Sequence, residues 1–201
     1  MSYIIKVGLI GDYNVGKTSI IHNYFNINNK TTVTLGVDFK TVTKKYENID
    51  FKLHIWDTSG QEKFKSIVSS YYRDLDVILL IYDSCDITTF ENIQKWLDDI
   101  YIYNKKNLIK ILVGNKTDKS NTVINYKKGL KYAELNDLKF FQTTITVKET
   151  INKLFDSIIE ICYNRLLRNE IELKTFVNYN KLNIEETIKN KNKNKKCCII
   201  Q

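Results

Sequence analysis

Apolar and polar positions along this chain follow two periods in turn. Tyr3–Ile10 is apolar and β-branched and reads as a strand, whereas Lys17–Phe25 has apolar residues at helical spacing. Val37–Tyr46 and Phe51–Trp56 read as strands around a turn at Asn48-Ile49-Asp50. Val77–Tyr82 and Ile109–Val113 are continuous apolar runs, the pattern of strands buried on both faces of a parallel sheet. Between them Thr89–Asn104 reads as a helix whose apolar face is Phe90, Ile93, Trp96, Leu97 and Ile100. Tyr126–Leu135 reads as a helix, Leu138–Gln142 as a strand and Ile151–Leu167 as an amphipathic helix. Strand–helix alternation with short links predicts an α/β domain with a mostly parallel sheet.

After Asn169 the pattern weakens. Thr187–Lys196 carries five lysines, no acid and one apolar residue, and such a stretch cannot bury enough surface to order itself. The expected organisation is a folded domain over 1–169 and a flexible tail over 170–201. A length of 201 residues suits one domain plus a tail, and 43% hydrophobic with 27% charged residues excludes wholesale disorder. The net charge is +8, which asks for an anionic partner, nucleic acid or a membrane surface. Because +5 of it lies in Thr187–Lys196, only +3 is spread over everything else. That favours a membrane face over nucleic acid, which needs a basic stripe on the folded body.

No apolar run approaches the about 20 residues of a spanning helix, and the N-terminus lacks the charged start and apolar centre of a secretory signal. Cys85 and Cys162 are isolated and read as small buried hydrophobes, while Cys197 and Cys198 are adjacent near the end. The spacing fits neither a disulfide framework nor a zinc site, so a reducing, cytosolic setting is expected. His22 and His54 are far from any second metal ligand.

Gly11-Asp12-Tyr13-Asn14-Val15-Gly16-Lys17-Thr18 matches G-x-x-x-x-G-K-[ST], after an apolar strand and before a helix. Gly11 and Gly16 let the backbone wrap phosphates with its N–H groups inward, and the helix N-terminus adds positive potential. Lys17 places an ammonium on the outer phosphates, and the Thr18 hydroxyl suits Mg²⁺. Asn115-Lys116-Thr117-Asp118 follows the strand Ile109–Val113, at the carboxyl end where open α/β sheets bind ligands. A carboxylate at Asp118 can accept from the N1–H and N2–H₂ of guanine, a pair adenine does not offer, so the combination selects GTP over ATP. In Ile55-Trp56-Asp57-Thr58-Ser59-Gly60-Gln61-Glu62, Asp57 ends a strand and is placed to hold Mg²⁺. Gly60 lets a backbone N–H approach the γ-phosphate, Gln61 can orient the attacking water, and Thr34 adds a second hydroxyl for Mg²⁺.

Together these stretches resemble a small GTPase of the Ras superfamily, and within it the Rab family, over about residues 3–168 and the C-terminus. Carrying the likeness are Thr34-Leu35-Gly36-Val37-Asp38-Phe39, Lys52-Leu53-His54-Ile55-Trp56-Asp57-Thr58, Glu62-Lys63-Phe64-Lys65-Ser66-Ile67, Tyr71-Tyr72-Arg73 and Tyr82-Asp83. The resemblance implies a six-stranded, mostly parallel sheet with helices on both faces, and a GTP/GDP switch in vesicle traffic. It implies nucleotide contacts from Gly11, Tyr13, Asn14, Val15, Gly16, Lys17, Thr18, Ser19, Thr34, Asp57, Gly60, Asn115, Lys116, Asp118, Thr144 and Ile145. Thr18, Thr34 and Asp57 would hold Mg²⁺; Gln61, Lys17, Thr34 and Gly60 would carry hydrolysis. Phe39, Trp56 and Tyr71 would form the aromatic patch read by effectors. An exchange factor, an activating protein and an escort or dissociation-inhibitor-type chaperone are the other implied partners.

Cys197 and Cys198 resemble Rab prenylation sites, though Cys198-Ile199-Ile200-Gln201 also fits C-a-a-X, which would leave Cys197 for palmitoylation. Either way two membrane signals are available, with the lysines adding attraction to an anionic leaflet. The expected place is the cytoplasmic face of a membrane, with a cytosolic pool. The sequence departs from the family pattern at four places. Tyr13 and Asn14 replace smaller loop residues, predicting slow hydrolysis. The segment from Thr18 to Thr34 is about two residues short and Asn26–Val33 lacks an aromatic ring, predicting faster nucleotide release. Thr144-Ile145-Thr146 replaces Ser-Ala-Lys, and Ser59 stands in place of alanine. The first two departures leave open a rival reading, a nucleotide-loaded membrane docking module that hydrolyses little.

Overall fold

A computed structural model describes residues 2–27, 37–58, 73–103 and 107–176. Strand β1 (Ser2–Ile10) leads through the glycine-containing loop into α1 (Lys17–Tyr24). The β2 (Val37–Tyr46) and β3 (Ile49–Thr58) strands form an antiparallel hairpin. Its two-residue turn, Glu47-Asn48, has φ of 46° and 63°, the left-handed pair whose twist matches that of the strands it joins. Then follow β4 (Val77–Asp83), α2 (Ile87–Glu91), α3 (Ile93–Tyr103), β5 (Ile109–Asn115), α4 (Tyr126–Leu135), β6 (Lys139–Gln142) and α5 (Lys148–Leu167).

Along the sheet order β2-β3-β1-β4-β5-β6, neighbouring strands are parallel except β2 and β3. Alternate strand residues feed two cores. On one face Ile5, Val7, Leu9, Leu53, Ile55, Leu79 and Ile111 pack with Ile20 and Ile21 of α1 and Leu154, Phe155 and Ile158 of α5. On the other, Ile78, Leu80, Tyr82 and Leu112 pack with Phe90, Ile93, Leu97, Ile100 and Ala133. Each large aliphatic or Phe side chain so buried contributes about 1.5–3 kcal/mol. The period-2 and period-3.6 patterns therefore fix the layers, and the layers deliver the strand ends β1, β3, β4 and β5 to one edge of the molecule. No helix among the described residues is long and apolar enough to cross a membrane.

Three expectations need correction. The sheet has a seventh strand, β7 (Lys174–Thr175), antiparallel to β1 at Tyr3 and Ile4. Ile171 and Leu173 pack on the core and the Phe176 N–H donates to the Ser2 carbonyl, so the body continues past the expected boundary at 169. The helix expected over Thr89–Asn104 is two helices. Asp86 caps the first by accepting from the Thr88 N–H, which starts it at the exposed Ile87, ahead of the apolar face. Cys162 is buried, but Cys85 is only partly so, on a loop beside the Lys116 carbonyl.

Candidate functional site

The phosphate loop needs its glycines for space and for backbone conformation. A Cβ on Gly11 (φ +147°) would stand 2.1 Å from the Ile81 carbonyl oxygen, and one on Gly16 (φ +99°) 2.4 Å from Asn115 Nδ2. The loop thus passes hard against the ends of β4 and β5. Asn14, at φ 62°, occupies the left-handed region that Asn tolerates better than most residues. Val15 is buried, while Tyr13 is 55% exposed and stands out from the loop. Ser19 is half-buried in the first turn of α1.

Lys17 lies buried beneath the loop, with Nζ donating to the carbonyls of Gly11 at 2.8 Å and Asp12 at 2.7 Å. Burial pushes its ammonium down from 10.5 to about 8, against the opposing pull of Asp57 and Asp12. The Thr18 hydroxyl donates to Asp57 Oδ2 at 2.6 Å. These are hard oxygens from two elements, α1 and β3, and they fit Mg²⁺, which takes oxygen donors and keeps several waters. Thr58, next in β3, donates to the Leu9 carbonyl at 2.6 Å and locks the strand end to β1.

Asn115 and Lys116 tie this loop to a second one. Asn115, buried at the end of β5, donates from Nδ2 to the Val15 carbonyl at 2.9 Å and accepts from the Thr143 hydroxyl at 3.1 Å. Lys116 Nζ donates to the Asn14 carbonyl at 2.7 Å and pairs with Asp83 Oδ2 at 2.6 Å. That ammonium and the Cys85 N–H hold the Asp83 carboxyl below its usual range despite burial. Asp118 is exposed, with Oδ1 accepting from the Thr144 hydroxyl at 2.5 Å, and this bond lowers its pKa. The Thr146 N–H donates to Thr144 Oγ at 3.2 Å. The Thr144 hydroxyl thus orients the Asp118 carboxylate. Ile145 is exposed and its carbonyl accepts from Asn23 Nδ2 of α1 at 2.9 Å.

The described chain therefore brings together Gly11 through Ser19, Asp57, Asn115, Lys116, Asp118, Thr144 and Ile145. Thr34, Ser59, Gly60, Gln61 and Tyr71, the lipidation cysteines Cys197 and Cys198 and the lysine-rich tail lie outside the described residues. Phe39 is 45% exposed on the β2–β3 face, 5.0 Å from the Trp56 ring and edge-on to His54 at 5.3 Å. Phe39 is thus exposed, while Trp56 beside it is partly buried against the second core. Sequence reading missed His54 beside these rings, Asp83 as the partner of Lys116, and Asn23. The register Asp83↔Asn115 across β4 and β5 is what aligns Asp83 with the loop that carries Lys116 and Asp118, and strand pairing is not visible in a linear sequence.

Residues 6–164 match the model of the Ras family. The chain is 32% identical to Ras-related protein RABA5c of Arabidopsis thaliana, over 98% of this chain and 94% of the relative. It is 37% identical to Ras-related protein RABE1e of the same plant, over 84% and 79%. With Ras-related protein RabH of Dictyostelium discoideum the identity is 39%, over 83% and 88%.

Proposed function

This chain belongs to the Ras family and is a small GTPase of the Rab type, and we propose that it acts in membrane traffic as a guanine-nucleotide switch. The observation that supports the nucleotide site is the convergence of three separated loops. Asn115 and Lys116 reach back to the carbonyls of Val15 and Asn14, while Asp57 meets Thr18. Those contacts support a phosphate subsite and a base subsite at one spacing, set by the sheet.

In this reading the loop N–H groups and Lys17 hold the phosphates of GTP, and Asp118, oriented by Thr144, accepts from the guanine edge. Ile145 offers its backbone N–H to the guanine carbonyl. Thr18 and Asp57, with Thr34, would hold Mg²⁺, which supplies positive charge against the phosphate oxygens. Gln61 orients water for attack on the γ-phosphate, giving GDP and phosphate, with Lys17 and the Gly60 N–H stabilising the charge that develops. Thr34 and Gly60 relax when the γ-phosphate leaves, coupling nucleotide state to the face that carries Phe39 and Trp56, and Tyr71 is the third effector-facing ring that the family resemblance implies. An exchange factor, an activating protein, an escort chaperone and effectors read that cycle. Prenyl groups at Cys197 and Cys198, with the lysine run, hold the protein at the cytoplasmic face of a membrane.

Competition against fluorescent GDP tests the base assignment. GTP and GDP should displace the probe and ATP should not at a thousandfold excess; displacement by ATP as effective as by GTP would overturn it.

A further inference from the structure

Asp12 places a negative charge within a loop that collects anions. Two donors from outside the loop hold its carboxylate. Asn92 Nδ2 donates to Oδ2 at 2.7 Å, and Trp96 Nε1 donates to Oδ1 at 2.7 Å. Asn92 stands at the junction of α2 and α3, and Trp96 lies one turn further on. The backbone carbonyl of Asp12 meanwhile accepts from Lys17 Nζ at 2.7 Å. One residue is therefore held from both sides, its side chain by α3 and its carbonyl by the buried ammonium.

We propose that Asn92 and Trp96 are positioning residues for the phosphate loop: they pin the Asp12 carboxylate on the α3 side, away from bound phosphates. The inference rests on the loop being the nucleotide site. A carboxylate free to swing would repel a triphosphate and compete with it for Lys17. Charge-assisted hydrogen bonds are the strong kind, so two of them fix the rotamer. Repulsion scales with ligand charge, so loss of the clamp weakens GTP binding more than GDP binding.

The test uses the full chain with Trp96→Phe, which removes the indole donor with part of the ring's volume and keeps an aromatic ring on the core, and separately Asn92→Ala. Release of fluorescent GDP and of a fluorescent non-hydrolysable GTP analogue is followed with Mg²⁺ present. Each substitution should speed release of the GTP analogue about tenfold and of GDP about threefold, the scale of one hydrogen bond to a charged group. In an Asp12→Asn background the same substitutions should change either rate less than about twofold, because the charge they restrain is gone. Unchanged rates, equal effects on both nucleotides, or equal effects in the Asp12→Asn background would overturn the clamp. A wild-type chain that bound neither nucleotide would overturn the site reading itself, and the clamp with it.

Discussion

Titration of Lys17 offers a sensitive reading of the site. Its side chain is buried, and burial lowers the ammonium pKa from 10.5 to about 8. At 1.36 kcal/mol per pH unit, the charged form is less stable here than in water by about 3 kcal/mol. Below pH 8 the lysine is protonated in both folded and unfolded chains, so the penalty is constant. Between 8 and 10.5 the folded chain binds fewer protons, and its stability from this group rises with pH. Phosphates placed against Nζ favour the ammonium and reverse the shift. Nucleotide binding above pH 8 should therefore take up a proton, about 0.8 per chain at pH 8.5, and affinity should fall by up to about tenfold per pH unit beyond. Phosphate oxygens titrate near pH 6 and are silent in this range. The assay is the GDP dissociation constant, from association and release rates, between pH 7 and 9.5. A constant that stays flat across that range would refute the reasoning.

Asn115→Ala leaves the Val15 carbonyl and the Thr143 hydroxyl without their side-chain partner, a loss of about 2–4 kcal/mol, visible as a lower urea midpoint at fixed saturating GDP. Tyr13→Gly clears the exposed ring from the glycine-containing loop and should raise single-turnover GTP hydrolysis by about tenfold; a rise within error would show that Tyr13 does not slow the reaction. Thr144→Val removes the hydroxyl that orients Asp118 and lowers its pKa. GDP release should quicken several-fold while the urea midpoint of the protein stays within error.

What was legible in the sequence is what chemistry restricts to few residue types. Gly11, Gly16 and Lys17 could be assigned because contact with Ile81 and Asn115 forbids a Cβ and because phosphate needs a cation. The strands β4 and β5 were legible because both their faces are buried. The two-residue β7 carries only polar, exposed side chains, so its pairing with β1 left no periodic signal. Asn92 breaks the expected helix while its side chain serves Asp12, eighty positions away, and local patterning carries no trace of such a contact. Thr144-Ile145-Thr146 departs from Ser-Ala-Lys, with Thr146 at the lysine position; the bond from the Thr144 hydroxyl to Asp118 appears only in three dimensions.

The nucleotide content of the protein purified with Mg²⁺ tests the central claim most directly. Denaturation followed by chromatography should release about one guanine nucleotide per chain, with GTP converting to GDP in a single turnover on incubation. Adenine nucleotide in its place, or a chain that neither carries nor takes up guanine nucleotide, would contradict the account.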